Sequence, residues 1–234
     1  MSGLSRRVGF ALVVVLVALP GTAFARPDVP ASPGPEPTSE PARVAAGAGG
    51  TTQWTFSTRD RQFLPHTSNQ GWWSNAHHAK DSNDNYVVGR CCGGGEFRDF
   101  FTFSLGGLNG TVKSAQLVLR KFNGRGGPHE KYGLSDVATA APKLNANSGE
   151  DPKIFKDLGR GTGYGVFRLS TKDETTPDDV FTLNLNANAL SAIHKAAGGF
   201  FSIGGRLLSL KDGGFLFAGS GGRGQQELIV TTKP

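Results

Sequence analysis

Between Trp72 and Cys92 the chain gathers the side chains best suited to ligand chemistry. Trp72, Trp73 and Tyr86 offer flat apolar faces on which the C–H face of a sugar ring can stack, and His77, His78 and Asn75 supply hydrogen-bonding groups for its hydroxyls. In a strand the two neighbouring indoles point to opposite faces, so one at most belongs to the core side. The competing reading has one indole capping the core and the other covering a loop. Asp81, Asn83 and Asn85 place oxygen ligands at alternate positions, as a calcium loop does. The run is not an EF-hand, because Tyr86 stands where that motif needs glycine and Cys92 where it needs its closing glutamate. Asx turns in a polar loop account for the same residues. Calcium is therefore the one candidate cofactor, and no other is implied.

Cys91 and Cys92 are the chain's two cysteines. Adjacent Cα atoms sit about 3.8 Å apart, short of the usual disulfide span. Three states compete: a ring closed between the neighbours, a bond to a second molecule, and two free thiols. Zinc would need His77 and His78 as further ligands, at a spacing that fits no standard finger.

Signals for catalysis are sparse. The glycine-rich run from Gly159 to Gly165 lacks the Gly-Lys-Ser/Thr ending of a phosphate loop and leads into Val166–Leu169, which alternates like a strand where a nucleotide motif needs a helix. No Gly-x-Ser-x-Gly elbow and no His-Glu-x-x-His motif is present. The expectation leans away from an enzyme. A formal net charge of +6 falls once Arg6 and Arg7 are removed with a leader, and no run of lysines or arginines marks a nucleic-acid stripe.

These residues must be held by a framework, and the sequence outlines one. Residues 1–25 carry Arg6 and Arg7, an apolar run from Val8 to Leu19 and the small-residue pattern Ala23-Phe24-Ala25, the parts of a secretory signal peptide and too short a run for a membrane span. Residues 26–50 are rich in Pro, Ala, Gly and Ser, the composition of a disordered linker. Residues 51–234 suffice for one domain with its own core.

That domain is organised around Phe97 to Arg120. Phe97, Phe101, Phe103 and Leu105 share one parity against Arg98, Thr102 and Ser104, with Phe100 out of phase, and Ala115, Leu117 and Leu119 repeat the pattern in a second arm. Asn109-Gly110 between them predicts a tight hairpin turn. Short alternating segments recur at Thr52–Ser57, Tyr86–Val88, Lys131–Thr139, Val166–Leu169, Val180–Leu185, Phe200–Ile203, Phe215–Ala218 and Leu228–Thr232. One helix is expected, capped by Asn186 or Asn188, running through Ala189, Leu190, Ile193 and Ala197 and ended by Gly198. The fold class is thus all-β: an antiparallel β-sandwich of jelly-roll type with one short helix.

Several segments in this order carry a resemblance: Asn85-Tyr86-Val87-Val88-Gly89, Arg98-Asp99-Phe100-Phe101-Thr102-Phe103-Ser104-Leu105, Val112-Lys113-Ser114-Ala115-Gln116-Leu117, Phe181-Thr182-Leu183-Asn184-Leu185, Phe201-Ser202-Ile203-Gly204-Gly205 and Leu228-Ile229-Val230-Thr231-Thr232. Together they resemble the DNRLRE-type domains and related secreted bacterial proteins. The resemblance implies a jelly-roll sandwich, often appended to extracellular polysaccharide enzymes, some members binding acidic polysaccharides. No binding residue is carried over from it. The expectation is a secreted, non-catalytic domain that binds extracellular or cell-wall polysaccharide. The alternatives are a structural or surface-interaction protein of the envelope and a polysaccharide lyase or hydrolase.

Overall fold

In the computed structural model the described residues are 42–59, 63, 68–76, 85–91, 93, 95–120, 123–127, 129–146, 148–170, 180–210, 213–218 and 226–234. Every-other-residue apolarity dominates their sequence, and it folds as strands. In chain order these are β1 (Arg43–Ala46), β2 (Thr52–Ser57), β3 (Gln70–Ser74), β4 (Val88–Cys91), β5 (Gly95–Ser104), β6 (Thr111–Arg120), β7 (Asn123–Arg125), β8 (Glu130–Asp136), β9 (Gly149–Glu150), β10 (Gly163–Leu169), β11 (Val180–Asn184), β12 (Phe200–Leu207), β13 (Phe215–Ala218) and β14 (Glu227–Lys233). Three short α-helices join them among the described residues: α1 (Ala141–Leu144), α2 (Pro152–Asp157) and α3 (Ala187–Lys195).

Two sheets result. Sheet A has the order β1-β2-β14-β6-β11 and is antiparallel throughout. Sheet B has the order β10-β8-β12-β5-β4-β13-β7, with β3 along the other side of β5 and β9 parallel to β3. Strand β5 is its spine. One edge pairs with β3, while the other pairs first with β4 and then, from Asp99 onward, with β12.

The expected hairpin between β5 and β6 does not form. The two arms belong to different sheets, so Leu105–Gly110 is an arch across the sandwich. Two arms that each have one apolar face can pair edge to edge or stack face to face, and stacking buries both faces against each other. Leu105 and Leu108 tuck under the arch, and Gly107 and Gly110 take the positive φ values of 80° and 78° that its bends need. Phe101, Phe103 and Leu105 from β5 and its end meet Ala115, Leu117 and Leu119 from β6 in the main core.

Phe100, out of phase in the sequence, explains a layer that alternation does not foretell. It projects to the outer face of sheet B, where Trp73, Leu144, Ile154, Phe155 and Leu158 bury it. That face is covered by α1 and α2, which the sequence reading did not expect. The signal for α2 is present all the same: Asp151 caps it, accepting from the backbone N–H groups of Lys153 and Ile154, and Pro152 opens its first turn. Helix α3 begins at its Asn186 cap, and Gly198 lies just beyond it at φ 78°, close to the expected bounds. The sandwich also takes in β1, from within the stretch expected as linker. That strand pairs with β2, and its Arg43 forms an ion pair with Glu227.

Candidate functional site

The structure buries the described members of the aromatic group. Trp72 packs edge-on against Phe97, with ring centroids 4.9 Å apart, in a small cluster with Val87 and half-buried Cys91. Trp73 points the opposite way, as strand alternation requires, into the layer beneath α1 and α2, where its indole N–H donates to the Leu144 carbonyl at 3.1 Å. The two indoles take opposite faces, as expected, and both are buried because both faces of β3 are covered. Tyr86 is fully buried between Phe101 and Phe217, and its hydroxyl donates to the Arg120 carbonyl at 3.0 Å. Burial, followed by the nearby Asp99, pushes that hydroxyl well above its ordinary pKa. None of these three rings offers a stacking face to solvent.

His77, His78, Asp81, Asn83 and Cys92 lie outside the described residues. Asn85 is half-buried. Cys91 is disulfide-bonded, and Cys92 is the only other cysteine in the chain. Among the described residues no group of three or more His, Cys, Asp or Glu side chains is placed to hold a metal ion.

A second polar concentration is sealed within the core. Both carboxyl oxygens of Asp99 accept from the Tyr132 hydroxyl at 2.9 Å, and Asp99 is fully buried. A Cβ at Gly205 would collide with both partners, so the neighbouring strand must carry glycine there. Burial raises the Asp99 carboxyl well above the ordinary carboxylate range and raises Tyr132 likewise. With no opening to solvent, this pair organises the core.

The open cleft lies elsewhere, between α3 and one end of sheet B, with a volume of about 490 Å³. This is within the size range of small-ligand sites, about 300–1,000 Å³. Helical spacing puts Asn188, Ser191, Ala192 and Lys195 on one face of α3, forming the first wall. Opposite stand Asp136 at the end of β8, Thr162 and Tyr164 at the start of β10, and Phe200 and Ser202 at the start of β12.

Local bonding fixes the walls. The Asn186 side chain accepts from the N–H groups of Asn188 and Ala189, and its amide donates to the Gly163 carbonyl at 2.9 Å, which ties the start of α3 to β10. The Tyr164 hydroxyl donates to Asp136 at 2.9 Å, and burial, then that carboxylate, raises its pKa far enough to keep it a donor. Phe200 is 42% exposed and touches Phe63 with one part of its ring, centroids 4.9 Å apart.

The cleft combines one aromatic face with hydroxyl, amide, carboxylate and ammonium groups. Sequence reading missed it. The helix was legible and so, in principle, was its polar face, but nothing local links that face to Asp136 or Phe200.

No protein-family model matches the chain, and no curated protein matches it. Among solved structures, the chain is similar to the cleaved adhesin domain of Lys-gingipain from Porphyromonas gingivalis, at 9% identity and a TM-score of 0.26, over 78% of this chain and 99% of that one. No helix among the described residues is long and apolar enough to cross a membrane.

Proposed function

We propose that this is a secreted, non-catalytic domain that binds polysaccharide in the cleft between α3 and sheet B. One observation carries the reading: an open cleft in which the exposed Phe200 ring stands beside Asp136, Asn188, Ser191 and Lys195. A sugar ring needs both parts, an apolar surface for its C–H face and fixed polar groups for its hydroxyls. Among the described residues the cleft is lined by one carboxyl group, Asp136, engaged by Tyr164, whereas glycoside hydrolysis by its usual route employs two. The leader-like residues 1–25 and the disulfide at Cys91 both suit an exported, oxidising setting.

Retention on a panel of insoluble polysaccharides tests it, with Phe200→Ala and Asn188→Ala as variants. Both side chains are exposed, so stability should stay within about 0.5 kcal/mol of the parent. Affinity for the retained glycan should fall about tenfold for Phe200→Ala. Retention that is unchanged in both variants would remove the cleft from the account.

A further inference from the structure

A line of hydrogen bonds enters the α3 cleft from beneath α1. Asn145, at the end of α1, is fully buried, and its amide nitrogen donates to the Ala141 carbonyl at 2.9 Å and to Thr102 Oγ1 at 3.0 Å. A carbonyl only accepts, so the nitrogen of that amide, and not its oxygen, faces Ala141 and Thr102. Thr102 on β5 is also fully buried and stands opposite Ser202 on β12, with their hydroxyl oxygens 2.9 Å apart. Having accepted from Asn145, the Thr102 hydroxyl gives its own proton to Ser202 Oγ, and the Ser202 O–H is left to point elsewhere. Ser202 is half-buried and lines the cleft. The chain of bonds thus fixes a hydrogen-bond donor in the cleft wall.

An acceptor stands close by. Strands β8 and β12 pair Asp136 with Ile203, one position from Ser202. The Asp136 N–H donates to the Thr162 carbonyl at 2.9 Å and its Oδ1 accepts from Tyr164, while its Oδ2 has no partner among the described residues. A carboxylate oxygen takes only donors. The same cleft carries small apolar groups, each half-buried: Ala192 and Ala196, one turn apart on α3, and Val137 on the opposite wall.

One sugar substituent matches all three features. A secondary amide sends its N–H and its C=O in opposite directions, and an acetamide adds a methyl group. A plain hydroxyl leaves the apolar groups uncovered, and a free ammonium meets the like charge of Lys195 in the same cleft. We infer that the α3 cleft recognises the acetamido group of an N-acetylated amino sugar. Ser202 donates to its carbonyl, Asp136 Oδ2 accepts from its N–H, the methyl lies against Ala192, Ala196 and Val137, and the sugar ring stacks on Phe200. The inference rests on the cleft reading and names the sugar class that the cleft takes. Thr102 and Asn145 are positioning residues, which set where Ser202 sends its proton without touching the ligand.

Affinities for matched hexamers of N-acetylglucosamine, glucose and glucosamine, which carry an acetamide, a hydroxyl or an amine at the same carbon, test it alongside the insoluble panel. The full chain should bind the acetylated hexamer about tenfold more tightly than the glucose hexamer. Ser202→Ala and Asp136→Asn should each cut that ratio to about threefold or less, since the asparagine still accepts from Tyr164 but turns an N–H towards the sugar N–H. Thr102→Val should lower the ratio and Thr102→Ser restore it. Lost stability alone would not move this readout, because the ratio compares two ligands on one variant. Phe200→Ala should weaken both hexamers and keep the ratio. Equal parental affinity for the acetylated and glucose hexamers, or a preference for the amine, overturns the acetamide site and leaves the cleft standing. Retention of another polysaccharide of the panel with no hexamer bound does the same. An unchanged ratio in both Ser202→Ala and Asp136→Asn overturns the site as well, and retention of no polysaccharide at all overturns site and cleft together.

Discussion

At the scale of single residues, the least expected feature is an ionisable carboxyl in the middle of an aromatic core. Asp99 is fully buried with the Tyr132 hydroxyl as its partner, and burial raises its pKa well above the ordinary carboxyl range. A folded-state pKa above the unfolded one means that the native state binds the proton more tightly. The associated stability is therefore complete below about pH 4 and is lost as pH rises through the folded value. Asp99→Asn keeps an oxygen to accept from Tyr132 and removes the titration. Its melting temperature should exceed the parent's at neutral pH, with the gain vanishing as pH falls towards the ordinary carboxyl range. A variant less stable than the parent across the whole pH series would show that Asp99 serves the fold as an anion. Trp73 poses the opposite case, a residue that reads as a ligand platform and acts as filling. Trp73→Ala leaves a hole beneath α1 and α2 next to Phe100, and chemical denaturation should report a loss of about 3–5 kcal/mol.

At the scale of elements, the legible parts were those whose information is local. The alternation in Thr52–Ser57, the strong strand at Val180 and the Asn186-capped helix are written in consecutive residues, and they fold where that pattern puts them. The partner of a strand is not written this way. Asn109-Gly110 suits a hairpin and also suits an arch, and the choice depends on which apolar faces find each other across the whole sandwich. The burial of Trp73 escaped for the same reason, since it depends on two helices of four and six residues that propensity alone marks weakly. Two positions test these elements. Gly110→Ala would strain a φ of 78° and bring a Cβ to 2.8 Å from the Lys233 carbonyl oxygen, so a fall in melting temperature is expected. Asp151→Ala removes the α2 cap at a cost of about 1 kcal/mol, and hydrogen exchange should show α2 opening ahead of the sheets.

At the scale of the whole molecule, the candidate site is a product of chain topology. Asp136, Asn188 and Phe200 meet because β8, β10 and β12 are adjacent and α3 spans their ends. No short window of sequence contains this group, which is why sequence reading missed it. Sheet A makes the dependence on topology testable. Its central strand is β14, the last of the chain, seated between β2 and β6 with Leu228 and Val230 fully buried, whereas β1 is an exposed edge strand held by β2 and one ion pair. Removing residues 1–50 should leave a cooperative unfolding transition, with a melting temperature lower by about 2–4 °C for each kcal/mol lost. Removing residues 227–234 takes away the strand that joins β2 to β6 and opens both of their edges and the core between the sheets. That chain should show no cooperative transition and should aggregate through its bared edges. A sharp melt in the C-terminally shortened protein would mean that β6 and β11 hold to the rest without β14, and sheet A would not be the single cooperative unit that its strand order describes.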